Sequence, residues 1–125
     1  MAHNLVLENI VVNAQAEALS MLCDDGYIRI KTVDNVMLAE FKLENPAFNS
    51  AIDGVLMARS VGAEMNAKAT GAAIKYEVYG KDGKTKLWTG EVGISGSDSD
   101  LELSDINIVA GSELHIASFK HEVVK

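Results

Sequence analysis

A chain of 125 residues, 48% of them hydrophobic, has the length of one domain, and roughly two thirds of its unfolded surface is expected to be buried on folding. Eleven Lys and Arg against eighteen Asp and Glu leave a net charge of -7, which argues against nucleic acid as a partner, because phosphate backbones select clustered basic residues. The single cysteine, Cys23, excludes a disulfide within the chain and a cysteine metal knuckle, and points to a reducing compartment such as a cytoplasm.

No apolar run approaches the ~18 to 20 residues of a membrane span, so a soluble chain with no membrane partner is expected. Met1-Ala2-His3-Asn4 lacks a basic segment before an apolar one, and a secretory leader is not expected either.

In chain order, Leu5, Val6 and Leu7 read as a short strand or an arm. From Asn9 to Cys23 the alanine-rich run predicts the one helix, ended by Asp24-Asp25-Gly26. Tyr27 to Thr32 alternates, with Ile28 and Ile30 on one face and Tyr27, Arg29 and Lys31 on the other. After a polar turn at Asp34-Asn35, Val36 to Leu43 predicts a second strand that completes a hairpin, with Val36 and Leu38 inward near Phe41 and with Glu40 and Lys42 outward. Ala51 to Val61 predicts a strand that bulges or starts at Gly54.

The segment from Lys75 to Gly90 has the strongest local signal, because two alternating arms flank Asp82-Gly83, a pair suited to positive backbone dihedrals. Ile74, Tyr76 and Val78 share one face of its first arm; Leu87 and Thr89 share a face of the second, which turns Trp88 the other way, toward Tyr79 or an oligomer partner. Gly93 to Asp100 reads as a loop, Leu101 to Leu103 as a strand, and Ser112 to Val124 as a last strand whose phase changes near Ser118, as at a bulge. About seven short strands joined by Gly, Asp and Asn turns predict a mainly β fold: an antiparallel β-sandwich or jelly-roll-like barrel with one short N-terminal helix. One domain, 1–125, is expected, with 1–12 as a candidate arm.

No catalytic or metal constellation emerges from the residue types. Of the three histidines, His3, His115 and His121, the last two lie six apart on one segment, but they lack the Glu-containing spacing of a helical zinc site and have no thiolate partner. Asp98, Asp100, Glu102 and Asp105 match neither the length nor the order of a calcium loop. Cys23 reads as core packing, and the lysines 81, 84 and 86 as guards of a sheet edge. Neither an enzyme nor a cofactor is therefore expected. The residues offered for partner binding are the apolar Leu5, Val6, Leu7, Ile10, Val11 and Val12 near the terminus, together with Tyr79 and Trp88, which could also serve a carbohydrate- or receptor-binding module.

The order of short segments adds a family likeness. The helix ending in Leu22-Cys23-Asp24-Asp25-Gly26, the strand Tyr27-Ile28-Arg29-Ile30, a Thr70-Gly71 strand, the Lys81-Asp82-Gly83 hairpin, Gly90-Glu91-Val92-Gly93, Ser95-Gly96-Ser97-Asp98 and Ile106 to Gly111 leading into Leu114 to Phe119 resemble small proteins encoded among the virion structural genes of tailed bacteriophages. The resemblance spans about Ala14 to Phe119 and implies a virion component made in the host cytoplasm, most plainly a head decoration (cement) protein. Such a protein would sit on the major capsid protein or another virion protein as a homo-oligomer, with a trimer suiting a three-fold site. A tail, neck or baseplate component is the alternative within that class.

Overall fold

A computed structural model describes residues 9–52, 55–58, 66–97 and 99–122. Helix α1 (Asn9–Cys23) occupies the alanine-rich run and buries Ala16, Ser20 and Cys23. It is closed by the Gly26 N–H donating to the Cys23 carbonyl at 2.8 Å. The left-handed residue of this turn is Asp25, at φ 60°, a conformation that Asp tolerates better than most side chains.

Strands β1 (Tyr27–Lys31) and β2 (Met37–Lys42) form the expected hairpin, with Ile28 opposite Phe41 and Arg29 opposite Glu40. Ile30 faces Ala39 while Lys31 faces Met37, so Leu38 has no opposite number and bulges inward beside Ala39. This corrects the expected phase: Leu38 and Phe41 are both in the core because of the bulge, whereas Val36 lies before the strand and is half exposed.

Next come β3 (Val55–Met57), β4 (Gly71–Ala72), β5 (Lys75–Tyr79) and β6 (Lys86–Ile94). They are followed by β7 (Leu101–Leu103), β8 (Asn107–Ile108) and β9 (Ile116–Glu122). Seven strands join in the order β2-β1-β5-β6-β7-β9-β3, and β4 pairs with β8 beside them. Composition places a loop from Gly93 onward, but β6 runs on to Ile94. Its Lys86–Glu91 part pairs with β5, and Val92 to Ile94 pair with β7 in parallel. The remaining pairs are antiparallel. The bulge expected near Ser118 is present: Leu103 faces Ile116 and Glu102 faces Ser118, leaving Ala117 unopposed.

The sheet curls. β5 and β9 are three steps apart in the strand order, about 14 Å in a flat sheet, yet the rings of Tyr76 on β5 and Phe119 on β9 are 5.4 Å apart between centroids. The sheet therefore folds β5 and β9 toward one another over a shared core of Ile28, Ile30, Val78, Leu101 and Leu103, giving the mainly β fold with one N-terminal helix that the sequence predicts.

Two glycines make this possible. Gly83, at φ 69°, turns the β5–β6 hairpin where Asp82-Gly83 predicts it. Gly90 lies opposite Tyr76, and a Cβ there would come within 2.4 Å of the tyrosine ring, so the ring covers a strand position that only glycine leaves open.

Candidate functional site

The inner face of the sheet holds an aromatic cluster. Trp88 lies opposite Val78, its indole N–H donates to the Tyr76 hydroxyl at 3.2 Å, and its ring stacks 6.3 Å from Phe119 and 4.4 Å from His121. Phe48 completes the group, 5.6 Å from Phe119. The placement of Trp88 beside Tyr79 is thus corrected. The β5–β6 register slips between Val78 and Tyr79, leaving Leu87 as the extra residue and rotating Trp88 inward. Burial pushes the Tyr76 hydroxyl up, opposed by the hydrogen bond from Trp88 and aided by Asp100. Burial also pushes His121 down, with the Asp100 charge opposing.

Tyr79 belongs to the outer face, where the alternation of β1, β2 and β5 gathers charge. Its hydroxyl donates to Glu77 Oε1 at 2.7 Å, and the Arg29 guanidinium covers its ring at 4.2 Å from the centroid. Glu77 is only 4% exposed and also holds Lys31 Nζ at 2.7 Å and Lys86 Nζ at 3.5 Å. Burial alone would push this carboxyl up. The hydrogen bonds from Lys31 and Tyr79, with the charges of Lys31 and Lys86, outweigh burial and hold Glu77 at about 2.

Arg29 Nε donates to Glu40 at 2.7 Å and its Nη2 to the Gly83 carbonyl at 2.9 Å, which folds the hairpin turn back onto this face. At the turn itself, hydrogen bonds from the Thr85 hydroxyl and from the Thr85 and Lys84 backbone hold Asp82 at about 2. The outer face is a closed network, and Tyr79 and Trp88 offer no shared stacking surface. The Glu77 network escapes sequence reading, although its signal is present: one acid at an outward strand position, flanked on neighbouring strands by Lys31 and Lys86.

Helix α1 is different. Ile10 is 79% exposed, Met21 73% and Leu22 59%, and Val11, Ala14 and Ala18 are exposed as well. At spacings of three and four residues these side chains form an outward apolar stripe, while Ala16, Ser20 and Cys23 face the core. A helix apolar on both faces is ordinarily buried on both. Of the terminal residues offered for partner binding, Ile10 and Val11 belong to this stripe, Val12 lies in α1 with its side chain outside the described residues, and Leu5, Val6 and Leu7 lie outside them altogether.

Of the other chemistry-bearing groups, His3 and Asp98 lie outside the described residues, and four more have local partners. His115 bonds to Glu113 at 2.6 Å and His121 packs on Trp88. Glu102 accepts the Gly96 N–H and Asp105 the Asn107 N–H. Among the described residues no three His, Cys, Asp or Glu side chains group as metal ligands. Burial, reinforced by Asp24, pushes the Cys23 thiol up to about 12, so it is a protonated core residue rather than a nucleophile. No protein-family model, curated protein or solved structure matches this chain.

Proposed function

We propose that this chain is a structural subunit that assembles with copies of itself in the virion of a tailed bacteriophage, decorating the outer head surface against the major capsid protein. The observation that carries self-assembly is the outward stripe of α1, where Ile10, Met21 and Leu22 stand in solvent on a helix whose other face is already in the core. A fully exposed aliphatic side chain forgoes about 1.5 to 3 kcal/mol of burial, so covering several in an interface provides a drive to associate. The virion setting rests on the segment order described above, with the same segments compatible with a tail, neck or baseplate position.

Two measurements test this reading. Light scattering on the purified protein should give a mass of two or more chains, and Met21→Asp should lower it while leaving the circular dichroism unchanged. Co-sedimentation with head shells and with tails from the phage whose genome carries the gene should recover the protein with shells. Recovery with tails alone moves it to the tail, and a monomer that binds neither overturns the proposal.

A further inference from the structure

Beside its stripe, α1 borders a groove of different character. Glu17, Ser20 and Asp24 follow one another at intervals of three and four residues, on one face of the helix and of the turn that ends it. With Met21 they form one wall of an open groove of about 220 Å³, and the segment from Pro46 to Ser50, including Phe48, forms the other. Two hydrogen bonds stitch the walls together: Glu17 Oε1 accepts the Ala51 N–H at 3.3 Å, and Asp24 Oδ1 accepts the Ala47 N–H at 2.8 Å. Each uses one carboxylate oxygen and leaves the other free for a ligand.

The groove therefore holds two acids, and among the described residues that line it there is no Lys, Arg or His. The helix supplies none, since the chain from Asn9 to Ile28 contains no basic residue. Ser20 is an independent sign of a ligand. It is 8% exposed, and its hydroxyl has no hydrogen-bond partner among the described residues. No side-chain oxygen among them is both sealed from solvent and unbonded, so the small exposed part of Ser20 includes its hydroxyl, which opens into the groove. A hydroxyl so enclosed finds its partner in whatever enters.

Spacing selects the ligand. Glu17 and Asp24 are seven residues apart, two helical turns or about 10 Å along the axis. A calcium ion would draw its oxygens to within about 2.6 Å of one centre, which two acids so spaced, each fastened to a different backbone N–H, do not offer. Met21 lies between the two acids on one wall, and Phe48 lies between their N–H partners on the other. Negative ends with an apolar middle fit a short aliphatic chain that carries an ammonium at each end. Each ammonium has three N–H donors, so one of them can serve a carboxylate and the Ser20 hydroxyl together.

We infer that this groove binds a linear aliphatic diamine. Glu17 and Asp24 take its two ammonium groups, Ser20 accepts from one of them, and the methylenes lie on Met21 and Phe48. The inference goes beyond the self-assembly proposed above and does not depend on it.

The test is calorimetric titration of the full-length protein at low ionic strength with cadaverine, which has an ammonium at each end, with pentylamine, which has the single ammonium of a lysine side chain, and with calcium chloride. Cadaverine should bind about 10-fold or more tighter than pentylamine, the gain of a second charge-assisted contact. Glu17→Gln and Asp24→Asn, checked for folding by circular dichroism, should each remove that advantage. Ser20→Ala should weaken cadaverine by a smaller factor, and Glu113→Gln, which removes an exposed acid elsewhere, should leave it unchanged. Equal affinity for the two amines overturns the inference, since the groove would then take one ammonium only. A loss with Glu113→Gln as large as with Glu17→Gln overturns it too, as mere attraction to a chain of net charge -7. So does calcium binding that Glu17→Gln abolishes while cadaverine does not bind. Should an acid variant misfold, methyl resonances of the wild-type protein decide: cadaverine should shift Met21 and leave Met37 on β2 in place, and any other pattern overturns the inference.

Discussion

Tyr76 and Glu77 are neighbours on β5, and they anchor opposite sides of the same strands by different physics. Tyr76 points inward, where Trp88, Phe119 and the bare backbone of Gly90 enclose its ring. Glu77 points outward, yet is nearly as buried, beneath Lys31, Tyr79 and Lys86. The inner cluster is held mainly by contact area and shape, which carry no charge of their own to titrate or screen. The outer one is held by charge, which pH and salt act on directly. The contrast also shows that a charged sheet face is not by that fact a binding face: its groups are used on one another, and the α1 stripe is the surface left over.

The largest effect is expected on the inner side. Phe119 is 2% exposed and touches Phe48, Tyr76 and Trp88 at once. Phe119→Ala should cost about 3 to 5 kcal/mol in urea unfolding, because it opens a cavity where the curled sheet brings β9 against β5 and β6. A loss below about 1 kcal/mol would mean that the curl is held elsewhere.

Glu77→Gln comes next and should cost about 1 to 3 kcal/mol, since Lys31 and Lys86 lose a charged partner while the amide keeps the shape. The same group contributes to the acid response, beside the exposed Asp82 at the turn. With its folded pKa at about 2, below the ordinary 4.5, ionised Glu77 contributes stability that is complete above about pH 4.5 and lost as pH falls toward 2. That contribution is on the order of 3 kcal/mol. Phe119→Ala should shift the whole acid profile down in parallel; Glu77→Gln should flatten it. A Glu77→Gln profile as steep as wild type would remove the outer network from the account.

How far these faces were legible in sequence depends on where the strands slip. The alternation Tyr27, Ile28, Arg29, Ile30, Lys31 translates directly into in and out because β1 pairs with β5 without interruption. β2 and β6 each contain an extra residue, Leu38 and Leu87, and a slip of one residue exchanges the faces. That is why Val36 was expected inside and Trp88 outside. The bulge near Ser118 announced itself through a change of phase in Ile116, Phe119 and the residues after them; the others did not, because alanine, threonine and glycine nearby are neutral about which face they take. The parallel pairing of β6 with β7 had no local signal at all, being settled by the curl. The α1 stripe was partly legible: its Ile10 and Val11 end was offered for partner binding, while Met21 and Leu22 read only as good helix formers.

A smaller effect separates turn from face. Gly83 is at φ 69°, and its carbonyl accepts Arg29 Nη2, so the turn is both a backbone requirement and a clasp on the outer network. Gly83→Val should cost about 1 to 2 kcal/mol through the positive dihedral. If the clasp matters as well, Arg29→Lys in the same background should add less than it does in wild type, a non-additivity that a thermodynamic cycle reads directly. Full additivity would confine the cost to the turn.

The smallest expected effect sharpens the inner side. His121 is the imidazole packed into the aromatic cluster, 4.4 Å from Trp88, and burial lowers its pKa below the ordinary 6.5 against the pull of Asp100. A base whose folded pKa is depressed binds its proton more readily when unfolded. Stability is therefore complete above about pH 6.5 and declines as pH falls below it, until the folded ring is protonated too. The decline sets in below about pH 6.5, above the pH at which the Glu77 contribution begins to fall, so one pH series reads the onset of each face separately. Urea unfolding between about pH 7 and 5 should show this loss in wild type and in the control His115→Gln, whose ring is exposed, and not in His121→Leu. Trp88 fluorescence of the folded protein should change only at the lower pH where the decline ends, because only there does the charge appear against the indole. Parallel profiles for wild type and His121→Leu would show that the inner cluster is as indifferent to protons as its apolar members suggest.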